Sequence, residues 1–225
     1  MDSANLFASF FERNLQKDQI IISPAIEIKF FSRPKILKKT TNLIFTSSNG
    51  VKAAGQAVND NIRAICVGDR TTSLASSLGY SAEKYGDNVE QLIKKLCLSK
   101  KIEGDILHIR GKYTKVDLMN RLREAGFLCH EWEGYDQIAK NLSFQALNAF
   151  KNGEKIILPI FSERSGRLLK DQIPNFDKCH IIAISSAVAN VFLDVSPASI
   201  SEAHTPDLVG MRSSTKTVLE NAHLE

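Results

Sequence analysis

The chain has 225 residues, 43% hydrophobic and 24% charged, which is the balance of an ordinary globular protein and excludes a disordered or fibrous one. Its formal net charge of +4 comes from 29 basic and 25 acidic residues spread along the sequence; this lacks the clustered Lys and Arg of a nucleic-acid surface, although such a field modestly favours a small anionic ligand. No apolar run approaches 18 residues and no signal-peptide core is present, so no membrane partner is expected and the location reads as cytoplasmic.

Residues 3–15 place Leu6, Phe7, Phe10, Phe11 and Leu15 at helical spacing. Gln19–Ser23 is rich in Ile and stops at Pro24, which cannot donate to a central ladder. Beyond it, Ala25–Ser32 alternates, with Ile26, Ile28 and Phe30 on one face and Glu27 and Lys29 on the other. Strand 42–46, helix 48–57, strand 62–67 and helix 70–78 follow, then helix 88–98, strand 105–109, helix 115–125 and strand 127–133. The chain stays extended to about Lys140. A second run holds helix 141–151, strand 155–160, helix 163–172, strand 179–184, helix 186–193, a short strand near 195–200 and helix 205–220. Gly79 and Gly126 stand where helix C-caps are expected, and Gly104 marks a further break.

Strands separated by helices imply right-handed crossovers and parallel sheets. The run is too long for one five-stranded sheet, so two α/β domains of about a hundred residues each are expected. The extended pieces 25–32 and 131–140 flank the middle block and suit a two-stranded connection. Residues 1–25 would then join 140–225 in one discontinuous domain, with 26–139 inserted as the other.

The most informative segment is Leu43-Ile-Phe-Thr-Ser-Ser-Asn-Gly-Val-Lys-Ala53. Its apolar residues end in Thr46, Ser47 and Ser48, and a helical pattern starts at once. A strand-to-helix junction of this kind offers hydroxyls and unpaired first-turn N–H groups to an anion. Comparable junctions recur at Val67–Ser73, Ile160–Gly166 and Ala183–Ala189. Four of them point to a cleft for a ligand with several carboxylates or phosphates.

Cys66, Cys97, Cys129 and Cys179 lie roughly thirty or more residues apart, without metal-ligand or CxxC spacing, and read as buried free thiols. No GxxxxGK[ST] occurs, which excludes a P-loop NTPase. A response-regulator-like protein would need an acidic cluster after its first strand, and none is present. A two-domain module that closes on a small anion without turning it over fits the same pattern as an enzyme, because function lives in the site. The terminal Leu224-Glu225 reads as a vector remnant.

In order and spacing, segment 43–53, Val67-Gly-Asp-Arg-Thr-Thr-Ser-Leu74, Gly104-Asp-Ile-Leu-His-Ile-Arg-Gly111, Leu118…Leu122…Gly126, Tyr135, Phe161-Ser162, Ile184-Ser185-Ser186-Ala187-Val188-Ala189 and Thr205-Pro206 resemble the uroporphyrinogen-III synthase family over nearly the whole chain. The resemblance implies two flavodoxin-like parallel-sheet domains joined by a β-ladder, the first discontinuous. It implies a lyase of tetrapyrrole synthesis that cyclises hydroxymethylbilane to uroporphyrinogen III with inversion of ring D and loss of water. No metal and no organic cofactor are implied. The substrate's acetates and propionates would be held largely by main-chain amides in the cleft between the domains. A monomer is implied, with at most transient contact with the preceding pathway enzyme.

Tyr135 matches the family's hinge tyrosine, which makes it the candidate general acid, facing segment 43–53 across the cleft. The competing reading is a ring packed beneath the ladder with its hydroxyl in solvent. Thr71 matches a family threonine and reads equally as a helix cap. Thr46, Ser47 and Ser48 are candidate substrate ligands, with Ser162, Ser185 and Ser186 on the matching edge of the other domain. Arg110 could bring its planar fork to a carboxylate or pair with a neighbouring acid. Gly68 and Gly111 would let the backbone turn close to ligand. His108, inside a strand, reads as a packed core histidine, and Lys112, Lys115, Arg121 and Arg123 as a solvated helix face.

The chain departs from the family in one respect. Family members open with a strand ending in Arg-Pro, whereas Met1 falls almost on the first helix. In a 2-1-3-4-5 order that strand would be central, and its absence is expected to leave a gap in the ladder.

Overall fold

Apolar residues run almost unbroken through 43–45, 64–67 and 106–109, as strands covered on both faces require. In the computed structural model, which describes residues 3–12, 15, 19–34, 40–58, 61–99, 102–114 and 117–221, they form adjacent parallel strands. The chain divides into two units, Ile28–Ile138 and Met1–Glu27 with Ala139–Glu225. Lys115 and Leu224-Glu225, like residues 13–14 of the first expected helix, lie outside the described residues.

The Ile28–Ile138 unit contains strands β2 (Asn42–Phe45), β3 (Arg63–Val67), β4 (Ser81–Gly86), β5 (Ile106–Gly111) and most of β6 (Cys129–Ala139), ordered β6-β5-β2-β3-β4 and all parallel. Strand β1 (Ile26–Phe30) lies beside β6. Phe31 N donates to Gly134 O and Lys140 N to Ala25 O, so the residue numbers run in opposite directions and the pair is antiparallel. The division between the units falls within both of these strands.

The two faces of this sheet are separated by the period-two alternation of its strands. Leu43, Phe45, Ala64, Leu107 and Ile109 pack with helix α2 (Ser48–Ala54) and helix α3 (Asp69–Ser77). Ile44, Ile65 and Ile106 point the other way, to helix α4 (Val89–Ser99) and helix α5 (Leu118–Glu124). Gly79 and Gly126 follow α3 and α5 with positive φ, the left-handed geometry expected at a helix end. One strand was not expected. Only Ala82 and Tyr85 are apolar in Ser81–Gly86, because β4 is an edge strand whose Glu83 and Lys84 face charges, Arg63 and Lys95 for the first and Asp69 and Asp87 for the second.

Helix α2 lies unusually close to the sheet. A Cβ on Gly50 would stand 2.7 Å from the Ile109 carbonyl oxygen, and one on Gly134 would meet Ala53 Cβ at 2.8 Å and Ile109 Cγ2 at 2.9 Å. Both glycines are therefore contact residues, and neither needs glycine for its φ.

The other unit has a parallel sheet of β7 (Ile156–Ile160), β8 (Cys179–Ala183) and β9 (Ser199–Glu202) in sequential order. Helices α6 (Phe144–Lys151), α7 (Glu163–Lys170) and α8 (Ser186–Ala189) cover the face carrying Ile181 and Ala183. The first helix, α1 (Ser3–Ala8), and α9 (Leu208–Asn221) cover the face carrying Ile182. Helix α1 is shorter than expected, ending in turns through Glu12. Residues 20–24 form no strand, although Ile20 and Ile21 pack on opposite faces of the core.

Three of the four cysteines are buried as expected, but Cys97 is exposed on α4. Burial pushes the Cys66 and Cys179 thiols up to about 11, which keeps them protonated and inert. No helix among the described residues is long and apolar enough to cross a membrane.

His108 is 4% exposed in the middle of β5. Burial holds its pKa down to about 4 from the ordinary 6.5; Glu131 partly opposes this and Arg110 adds to it. Above pH 6.5 both folded and unfolded chains carry it neutral. Below that pH the unfolded chain takes up a proton that the folded one refuses, so stability falls as pH drops from 6.5 towards 4. The loss approaches roughly 3 kcal/mol, at about 1.4 kcal/mol per pH unit. Urea melts between pH 7 and pH 4.5 are expected to show this slope in wild type and to lose it in His108→Gln. Gly134→Ala should lower stability by about 1–3 kcal/mol in the same assay through overpacking against α2.

Candidate functional site

The carboxyl ends of β2 and β5 in the Ile28–Ile138 unit mark the place where connections leave for opposite faces of the sheet. The chain after β2 enters α2 on one face, and the chain after β5 enters α5 on the other. A crevice at such a switch point is the usual ligand position in an open α/β sheet. Thr46, Ser47, Ser48, His108, Gly111 and Tyr135 are brought together here.

Ser47 is the N-cap of α2, with extended backbone at φ −157° and ψ 155°, and its Oγ accepts from Gly50 N. The same Oγ lies 2.9 Å from the Tyr135 hydroxyl. Tyr135 is thus in hydrogen-bond contact with segment 43–53 within one unit, a correction to the expectation that it faces that segment from across a cleft. The residue as a whole is buried, 7% exposed, with its hydroxyl bonded to Ser47. Phe30, itself exposed, stands at 6.5 Å between ring centroids.

A β-bulge aims this tyrosine. Register along the β5–β6 pair shifts between Arg110 and Gly111, so that Arg110 faces Glu133 but Gly111 faces Tyr135. Simple alternation would put Tyr135 on the face of Glu131 and Glu133. The extra residue, Gly134, turns it onto the α2 face with Trp132. Gly111 leaves room for the ring, because a Cβ there would lie 2.8 Å from Tyr135 Cε2 and 3.1 Å from its hydroxyl. The close approach that Gly111 makes here is to Tyr135. The signal was a glycine inside a strand pattern, which marks a bulge or a close contact.

On the opposite face of the sheet, Thr46 Oγ1 is 3.2 Å from His108 Nε2. Ser48 opens α2 and is half-buried. Helix α2 has only seven residues, so its dipole is weaker than the sequence pattern implied.

Arg110 has every N–H engaged. Its Nε and one Nη donate to the Glu131 carboxylate, a further contact reaches Glu133, and the other Nη donates to the carbonyls of Gly111 and Lys112. Glu131 reinforces the charge on the guanidinium, and Arg110 in turn holds the Glu131 carboxyl below its usual range. Of the two sequence readings, the pairing with neighbouring acids is the geometry observed. Arg121 pairs with Glu90 on α4, and Arg123 bonds Asn120 and the Cys129 carbonyl. These two are therefore tied down more than a simply solvated face would be, and Lys112 precedes the helix.

Gly68 has φ +76° and is the N-cap of α3, with open space where a Cβ would stand. Thr71 lies inside the first turn and is 5% exposed, so it is not the cap. In the other unit, Ser162 caps α7 through Ser165 N and donates to Ser165 Oγ. Ser185 stands at the N-cap of α8 without making a side-chain cap bond, and Ser186 is exposed beside it. Ser162 and Ser185 follow the neighbouring strands β7 and β8, so this unit gathers its three serines at one sheet edge. No group of His, Cys, Asp and Glu among the described residues could hold a metal ion.

The family model described as uroporphyrinogen-III synthase HemD matches residues 17–211. Among solved structures, uroporphyrinogen-III synthetase from Helicobacter pylori is similar at 18% identity and a TM-score of 0.66, covering 86% of this chain and 91% of that one. A mutant uroporphyrinogen III synthase from the extremely thermophilic bacterium Thermus thermophilus is similar at 12% identity and a TM-score of 0.55, covering 97% and 95%. No curated protein matches. With the family model spanning both units and the sheet edges that carry the clustered hydroxyls, the chain belongs to the uroporphyrinogen-III synthase family.

Proposed function

We propose that this enzyme cyclises hydroxymethylbilane to uroporphyrinogen III as a hydro-lyase, with Tyr135 as the general acid. The observation that carries the catalytic part is the Ser47–Tyr135 hydrogen bond at the end of β2. Either hydroxyl can donate in this bond; in this reading Ser47, whose Oγ also accepts from Gly50 N, gives its own hydrogen to the Tyr135 oxygen. The phenol hydrogen is then free for the hydroxyl that must leave.

Protonation of the hydroxymethyl group by Tyr135 releases water and leaves an azafulvene cation. The Ser47 O–H stabilises the phenolate that forms. Attack by the substituted carbon of ring D gives a spiro intermediate, which fragments and recloses with the ring inverted. Loss of a proton restores the pyrrole and returns a proton to Tyr135, so the net change is loss of one water. The substrate is electron-rich and reacts readily, and the larger part of catalysis is holding ring D in the inverting conformation.

Thr46 and Ser48 are assigned to substrate carboxylates in this reading, as are Gly68 and Thr71 at the end of β3 and Ser162, Ser185 and Ser186 in the other unit. Arg110, its donors all occupied, serves instead as a brace for the backbone at Gly111 and Lys112. Family likeness further supports a cytoplasmic monomer that meets the enzyme supplying the bilane only transiently.

Supplied with hydroxymethylbilane, the protein is expected to give type III uroporphyrin after oxidation, and a predominantly type I product would reject the assignment. Tyr135→Phe should keep its melting temperature and lose several-fold to a hundred-fold in kcat; unchanged kinetics would remove Tyr135 from the mechanism. Gly111→Ala should displace the ring and slow turnover too. Because both changes act on one group, the double variant should be no slower than the slower single one.

A further inference from the structure

His108 has two ring nitrogens and one visible partner. Nε2 is 3.2 Å from Thr46 Oγ1, while Nδ1 is buried and has no hydrogen-bond partner among the described residues. The ring lies in β5 opposite Ile44, inside the layer of Ile44, Ile65 and Ile106, and is 4% exposed. A buried histidine nearly always pairs at least one ring nitrogen, so which group it pairs with is informative. Here one nitrogen is spent on a hydroxyl at the site.

The two neutral tautomers differ in what they leave buried. With the proton on Nδ1, a donor is orphaned in an apolar layer. With the proton on Nε2, only a lone pair is left over, and orphaned donors are the rarer and costlier of the two. The second tautomer also fixes the threonine. Its oxygen accepts from His108, so its own hydrogen must point elsewhere, and Thr46 Oγ1 has no other protein partner among the described residues. Thr46 is half-buried at the end of β2, where that hydrogen can meet an incoming group.

We propose that His108 is a positioning residue that donates Nε2–H to Thr46 Oγ1 and so presents the Thr46 hydroxyl as a donor to a carboxylate of the substrate. The inference rests on the functional reading above and adds a residue to it. His108 itself touches no substrate; it removes the choice a threonine otherwise has between donating inward and donating outward. On the other face of the sheet, Ser47 and Tyr135 form a second hydroxyl pair, and that pair serves the chemistry.

Two measurements test this. In wild-type protein labelled with 15N-histidine, long-range 1H–15N spectra at neutral pH, assigned with His108→Gln, are expected to show His108 protonated at Nε2 alone. Protonation at Nδ1, or a rapidly exchanging mixture, overturns the proposal. In steady-state assays with hydroxymethylbilane, Thr46→Val and His108→Phe should each raise KM at least several-fold with kcat changed far less, and the double variant should match the singles. His108→Gln, whose amide can still donate near the Nε2 position, should recover most of the loss. Equal KM values in wild type, Thr46→Val and His108→Phe refute the role, as does a Gln variant no better than Phe while both keep the wild-type melting temperature. A wild-type protein that turns over no bilane refutes the functional reading alone, and the tautomer then still decides the state of His108.

Discussion

The geometry of the candidate site depends on how near α2 comes to the sheet. Gly50 lets the helix rest against the Ile109 carbonyl, and Gly134 removes the side chain that would hold Ala53 away. That contact fixes the first turn of α2 in height above β5 and β6. Ser47, as its N-cap, is thereby carried to 2.9 Å from a tyrosine 88 positions later in the chain. Interiors are packed to crystal density and transmit such constraints directly. A helix lifted by one methyl group would take the Ser47 oxygen out of hydrogen-bond range.

A second constraint acts at right angles to the first. The bulge at Gly134 rotates Tyr135 from the solvent-facing row of Glu131 and Glu133 to the inner row with Trp132. The acids left behind on the outer row are then free to hold Arg110, which secures the backbone carbonyls of Gly111 and Lys112 at the foot of the next loop. One inserted residue thus decides two things: what lines the inner face and what braces the outer one. The site is assembled from short-range irregularities set on a regular scaffold, the arrangement expected where a sheet serves to place a few polar atoms accurately.

Most of the fold is legible in the sequence because buried parallel strands and amphipathic helices write strong patterns. Segment 42–45, the helix after it and the β8–α8 junction are plain from apolar runs followed by Ser and Thr. Strand β4 is not, since an edge strand needs only one covered face and its Glu and Lys residues read as connection. At the site, the hydroxyl-rich junction and Tyr135 can both be singled out, but not their contact, because period-two counting puts Tyr135 on the wrong face. His108 reads correctly as buried. Its partner Thr46 lies 62 positions away, and only the register of two parallel strands brings them together.

Strand β4 carries a consequence for the life of the protein at high concentration. An open sheet edge is a template for a neighbouring molecule, and apolar edges recruit copies of themselves. Here the last strand of the sheet sets Glu83 between Arg63 and Lys95 and Lys84 between Asp69 and Asp87. A second chain laid along that edge would have to strip water from two compensated charge clusters before making its first backbone bond. The same residues that hide the strand from a reader of the sequence keep it from pairing with a stranger.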